Sequence, residues 1–90
     1  MSASSRDDIL SVVAGVLGGV AAYKLVDFLV TNRTHWVNKY QVGVASDLPA
    51  VKAGRALDAL NGSGFVDVIE RGKNPSNRAY RITSLDKVPA

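Results

Sequence analysis

The chain has no cysteine. That excludes disulfide scaffolds, cysteine-ligated zinc, iron–sulfur ligation and thiol catalysis, and leaves the redox compartment undetermined. It has one histidine, His35, so a histidine cluster for a metal cannot form and a Ser-His-Asp set would have to recruit a connector residue. Gly15, Gly18 and Gly19 follow no strand and are joined by no Lys-Ser/Thr pair, so they do not read as a phosphate loop. No catalytic motif stands out: the chain is expected not to be an enzyme, and neither cofactor nor metal is expected. The Asp7-Asp8 pair suits the first turn of a helix better than acid–base chemistry.

Charge is unevenly placed. Residues 1–32 carry a net −1 and residues 33–90 a net +4. A basic half suits an anionic partner, either nucleic acid or lipid headgroups, although solubility alone explains an excess of this size.

Residues 9–23 (ILSVVAGVLGGVAAY) hold no charge, and Ser11 is their one strongly polar side chain. Extended through Lys24, Asp27 and on to Val30, the apolar stretch covers residues 9–30, about 33 Å as a single helix against a hydrocarbon core of roughly 30 Å. Lys24 can snorkel or pair with Asp27 on one helical face, and Trp36 and Tyr40 follow as interfacial aromatics would. A helix apolar all round must be buried in something. The reading is therefore a transmembrane helix, with a buried helix of an oligomer as the other solution. A cleaved signal peptide fits poorly, because the leading residues are not net positive. Ala14, Gly18 and Ala22 recur at intervals of four, as do Gly15 and Gly19, and such small-residue ridges allow close helix packing. Arg33, Lys39 and Lys52 follow the segment, which places the C-terminal domain on the cytoplasmic or genome-facing side of a membrane.

The expected organisation is a polar N-terminus (1–8), the hydrophobic helix (9–30), a connector (31–35), a small basic domain (36–84) and a tail (85–90). Residues 36–45 are ambiguous. Trp36, Tyr40, Val42 and Val44 share one parity, as in a strand, and a short helix through Tyr40 is also open. Asp47 and Pro49 start a helix over residues 48–60 with an apolar stripe of Ala50, Ala53, Leu57 and Leu60, stopped at Asn61-Gly62. Lys52 and Arg55 lie away from that stripe. Residues 65–71 and 79–83 read as two strands of a hairpin, with Tyr80 and Ile82 on one face and a polar tip carrying Arg71, Lys73 and Arg78.

The run VKAGRALDALNGSGFV, followed by a hairpin ending in RAYRIT, resembles the second half of winged helix–turn–helix nucleic-acid-binding domains, over about residues 48–83. The resemblance implies that Lys52 and Arg55 face a DNA groove and that Lys73, Asn77 and Arg78 are wing contacts to phosphate or the minor groove. Such domains carry two helices ahead of the recognition helix, and residues 31–47 do not read clearly as two. The hydrophobic N-terminal helix could supply one, which would remove it from the membrane.

The fold class expected is thus α+β: one N-terminal hydrophobic, transmembrane helix and a small helix-plus-hairpin, winged-helix-like domain. The main functional reading is a single-pass structural subunit, a virion membrane protein or an accessory subunit, packing with copies of itself or neighbouring membrane subunits through Ala14, Gly15, Gly18, Gly19 and Ala22. The alternative is a winged-helix-like nucleic-acid binder, tethered to a membrane or dimerised by its N-terminal helix.

Overall fold

The computed structural model describes residues 6–73 and 77–82. Four helices, α1 (Arg6–Leu17), α2 (Gly19–Thr31), α3 (Lys39–Ser46) and α4 (Ala50–Gly62), precede two strands, β1 (Val66–Glu70) and β2 (Arg78–Ile82).

The hydrophobic segment is broken at Gly18. Its φ of 84° and ψ of 171° lie in a backbone region open essentially to glycine alone. The chain reverses there, so that Arg6 at the start of α1 pairs with Asp27 in α2. The resulting helices have 12 and 13 residues, roughly 20 Å each, too short for a bilayer core of about 30 Å. No helix among the described residues is long and apolar enough to cross a membrane. This overturns the expected fold class, with its transmembrane helix over residues 9–30, and the membrane localisation inferred from it.

The apolar residues are instead buried within the chain. Ile9 and Val13 of α1, and Ala22, Leu25, Val26, Leu29 and Val30 of α2, enter one core with Val42, Ala53, Ala56, Leu57, Leu60, Val66, Tyr80 and Ile82. The helix is folded on itself, so each half needs cover on one side only. α1 packs on α2 and α4, and α3 packs on the same two helices.

Residues 36–45 resolve the strand-or-helix ambiguity by dividing it. Val37 forms an isolated antiparallel bridge with Tyr80, with N···O separations of 2.9 and 2.7 Å. Asn38 then begins α3 through a capping box: its side chain accepts from the Gln41 N–H, and the Gln41 side chain accepts from the Asn38 N–H, both at 2.9 Å. The strand-like parity does not mark a buried face, since Tyr40 and Val44 are exposed while Val42 is buried.

Asp47 does not cap α4. It closes α3 in the left-handed region, at φ 59° and ψ 46°, and α4 begins after Pro49. β1 and β2 pair antiparallel from Val66↔Ile82 to Glu70↔Arg78. With the Val37 bridge, the strand order is Val37, β2, β1. The sequence α2, Val37, α3, α4, β1, β2 is winged-helix-like, with α2 in the place of the first helix of such domains and α1 added before it.

Candidate nucleic-acid interface

The helix–turn–helix formed by α3 and α4 depends on close backbone approach. Gly43 is buried where an added Cβ would lie 2.7 Å from the Leu48 carbonyl oxygen. The Gly43 carbonyl itself accepts from the Leu48 N–H at 2.8 Å. With Asp47 left-handed between them, the turn brings α4 tightly across α3.

α4 buries Ala53, Ala56, Leu57 and Leu60. The opposite face presents Val51, Lys52, Arg55, Asp58, Asn61 and Gly62, all exposed. Val51 is 63% accessible, so the middle of this face is open to solvent.

Two flanks border that face. On one side, Lys52 and Arg55 meet Val16 and Leu17 at the end of α1, and Leu48, around a crevice of about 100 Å3. On the other side, Asp58 and Asn61 meet Val68, Glu70, Arg78 and Tyr80 of the hairpin around a crevice of about 410 Å3. There the Tyr80 hydroxyl donates to Asp58 Oδ1 at 3.2 Å. Burial, and then the Asp58 carboxylate, push the Tyr80 pKa above its ordinary value. The nearby Arg78 guanidinium acts on the same hydroxyl in the opposite direction, and Arg78 stands opposite Glu70 in the ladder. The surface is therefore divided: cationic beside α1, mixed beside the hairpin.

Of the residues singled out in the sequence, Lys52 and Arg55 lie together on the exposed face of α4. Lys73 and Asn77 are exposed near the hairpin end, with residues 74–76 outside the described residues. Arg78 is half-buried and lines the hairpin-side crevice with Tyr80. Among the small residues, Ala22 is fully buried, whereas Ala14, Gly15, Gly18 and Gly19 are exposed. No atom approaches a would-be Cβ at those three glycines within 4 Å.

Lys39 was not among the sequence candidates. Its Cδ lies 3.3 Å from a would-be Cβ at Gly54, in the middle of α4, and its ammonium sits 5.5 Å from the Tyr40 ring centroid. It brings a further cation from α3 to the flank of α4. The available signal was Gly54, a glycine in a helix interior where alanine is otherwise favoured.

No family model matches the chain, and no curated protein matches it in sequence. Among solved structures, it is similar to a possible transcriptional regulator from Methanosarcina mazei Go1, with a TM-score of 0.64 and 11% identity over 90% of this chain and 68% of that one. At that identity the likeness concerns the fold.

Proposed function

We propose that the chain is a nucleic-acid-binding module that acts by binding, with no chemical step of its own, and lays α4 in a groove of duplex DNA. The observation that carries this reading is the second helix of a helix–turn–helix whose outward face holds Lys52 and Arg55 exposed to solvent. Lys52 and Arg55 supply charge and donors at the groove. Lys39, at the α3 flank, and Lys73 and Asn77, at the hairpin end, meet phosphates on either side. Asp58, held by Tyr80, is an acceptor beside them and suits the exocyclic amine of cytosine. Arg78, half-buried beside the hairpin crevice and opposite Glu70, orients the wing more than it contacts phosphate. The likeness to a possible transcriptional regulator supports the reading; lipid bilayers and membrane subunits are not among the proposed partners.

The test is a fluorescence anisotropy titration of the full chain with labelled duplex DNA at several salt concentrations. Affinity should fall with salt, and Lys52→Ala, Arg55→Ala and Lys73→Ala should each flatten the logarithmic slope by about one unit. Arg78→Ala should flatten it less. Absence of binding at low salt, or a slope indifferent to all four changes, would refute the reading.

A further inference from the structure

We propose that α1 is exchanged between two copies of this chain: Gly18 straightens, residues 6–31 become one helix, and each α1 packs on the α2 and α4 of the other copy. The inference rests on the helical half of the molecule alone and stands apart from DNA binding.

Three observations converge on it. First, the hinge is a single residue, Gly18, held at φ 84° and ψ 171°. A one-residue reversal between two helices is the kind of short, constrained connection that favours exchange of the flanking element.

Second, the helical hydrogen-bond ladder almost passes through the break. The Gly18 N–H donates to the Ala14 carbonyl and the Ala22 N–H to the Gly18 carbonyl, both at 3.1 Å. Between them, the start of α2 has no side-chain cap. In a straight helix, the N–H groups of Gly19, Val20 and Ala21 reach the carbonyls of Gly15, Val16 and Leu17. Opening thus converts uncapped helix ends into helical hydrogen bonds.

Third, what opening exposes, exchange covers again. α1 is docked through Ile9 and Val13, both fully buried, with Leu10, Val12 and Leu17 packed around them. A second copy offers an identical surface, so the apolar contacts and the Arg6–Asp27 ion pair are all remade between chains. Apolar side chains near the hinge, Val16, Val20 and Tyr23, are 42%, 74% and 58% accessible in the closed form. A partner copy seated on this end of the molecule would cover them, and a Cβ at Gly15 or Gly19 beside them would meet nothing within 4 Å. The occupant of the α1 site is in either case α1; only the chain that supplies it changes.

The experiment shifts the hinge and reads the connectivity. Gly18→Ala places a Cβ on a backbone conformation that side chains rarely adopt, a strain present in the closed form and absent from the straight one. Relief at two hinges should raise the dimerisation constant by about thirtyfold or more, read by light scattering over a range of protein concentrations. The chain has no native cysteine, so Arg6→Cys with Asp27→Cys gives an unambiguous reporter. In Gly18→Ala the disulfide should join two chains on a non-reducing gel. Lengthening the hinge by inserting glycines after Gly18 should shift the same reporter to within-chain bonds and a monomer. A folded Gly18→Ala monomer, a Gly18→Ala dimer with disulfides still within chains, or a Gly18→Ala chain unfolded at every concentration would each overturn the proposal. The last counts because exchange offers that variant a folded form free of the strain.

Discussion

Replacing Gly43 with alanine sets two effects of opposite sign against each other. Within α3, alanine is better than glycine by up to about 1 kcal/mol, because glycine gives up more backbone freedom on folding. Against that, the new Cβ would stand 2.7 Å from the Leu48 carbonyl oxygen and 3.5 Å from the Ala50 nitrogen. The obstacle is backbone and cannot turn aside as a side chain would. The same turn is pinned by the Leu48 N–H on the Gly43 carbonyl at 2.8 Å and by Asp47 at φ 59°. Forced shifts of packed groups cost roughly 1–3 kcal/mol, and a backbone obstacle belongs near the upper end. The net expectation is a loss of about 1–2 kcal/mol. In a domain of this size that lowers Tm by about 5–15 °C, measured by circular dichroism on heating and cross-checked in urea. Gly15→Ala is the control. It sits in α1 with nothing within 4 Å of the new Cβ, so it should gain about 0.5–1 kcal/mol. If both substitutions stabilise the chain equally, the tight α3–α4 turn is wrong, and with it the placement of α4.

Tyr80→Phe removes the hydroxyl that donates to Asp58 and should cost about 1 kcal/mol. The Tyr80 pKa is raised above its ordinary 10.0, so its contribution is full below that value and is lost as pH rises through the folded value. Urea denaturation from about pH 8 to about pH 11 should show that alkaline loss in the parent and a flatter profile in Tyr80→Phe; parallel profiles would count against the assignment. Ser46 is 2% accessible and its hydroxyl has no hydrogen-bond partner among the described residues. Ser46→Ala should therefore stabilise by about 1 kcal/mol, and a loss of that size would mean the hydroxyl is satisfied.

The C-terminal half was the more readable part of the chain. The β-branched and aromatic content of residues 65–71, the shared face of Tyr80 and Ile82 and the polar residues between the strands marked the hairpin to within a residue or two, because such side chains suit a half-buried pleated surface. The stripe of Ala53, Leu57 and Leu60 did the same for α4. The N-terminal half misled for a physical reason. Hydropathy records that Ile9, Val13, Leu25 and Leu29 are buried and is silent on what buries them. The deciding residue was Gly18, which reads equally as a packing glycine or as a break. Its positive φ is a property of tertiary structure: α1 must turn back to reach α2 and α4. α3 was half legible. Its cap, Asn38 with Gln41, obeys a sequence rule, but the β-like parity of Tyr40, Val42 and Val44 masked it. Within the candidate interface, Lys52 and Arg55 followed from helical spacing. The half-buried place of Arg78 depends on the register opposite Glu70, which has no local signature.

The single tryptophan stands at a joint. Trp36 is next to Val37, whose backbone bridges the helical part to β2, and the Arg81 guanidinium of that same strand lies 4.3 Å from its ring centroid. The indole is thus held between a connector and a strand that meet through one bridging residue pair. Its emission is a native gauge of whether the hairpin is attached: detachment of β2 would free the ring from a stacked cation and wet it, shifting the spectrum while the helices stay folded. The molecule carries its own optical readout for hairpin motion, separable from the far-ultraviolet signal of its helices, with no label needed.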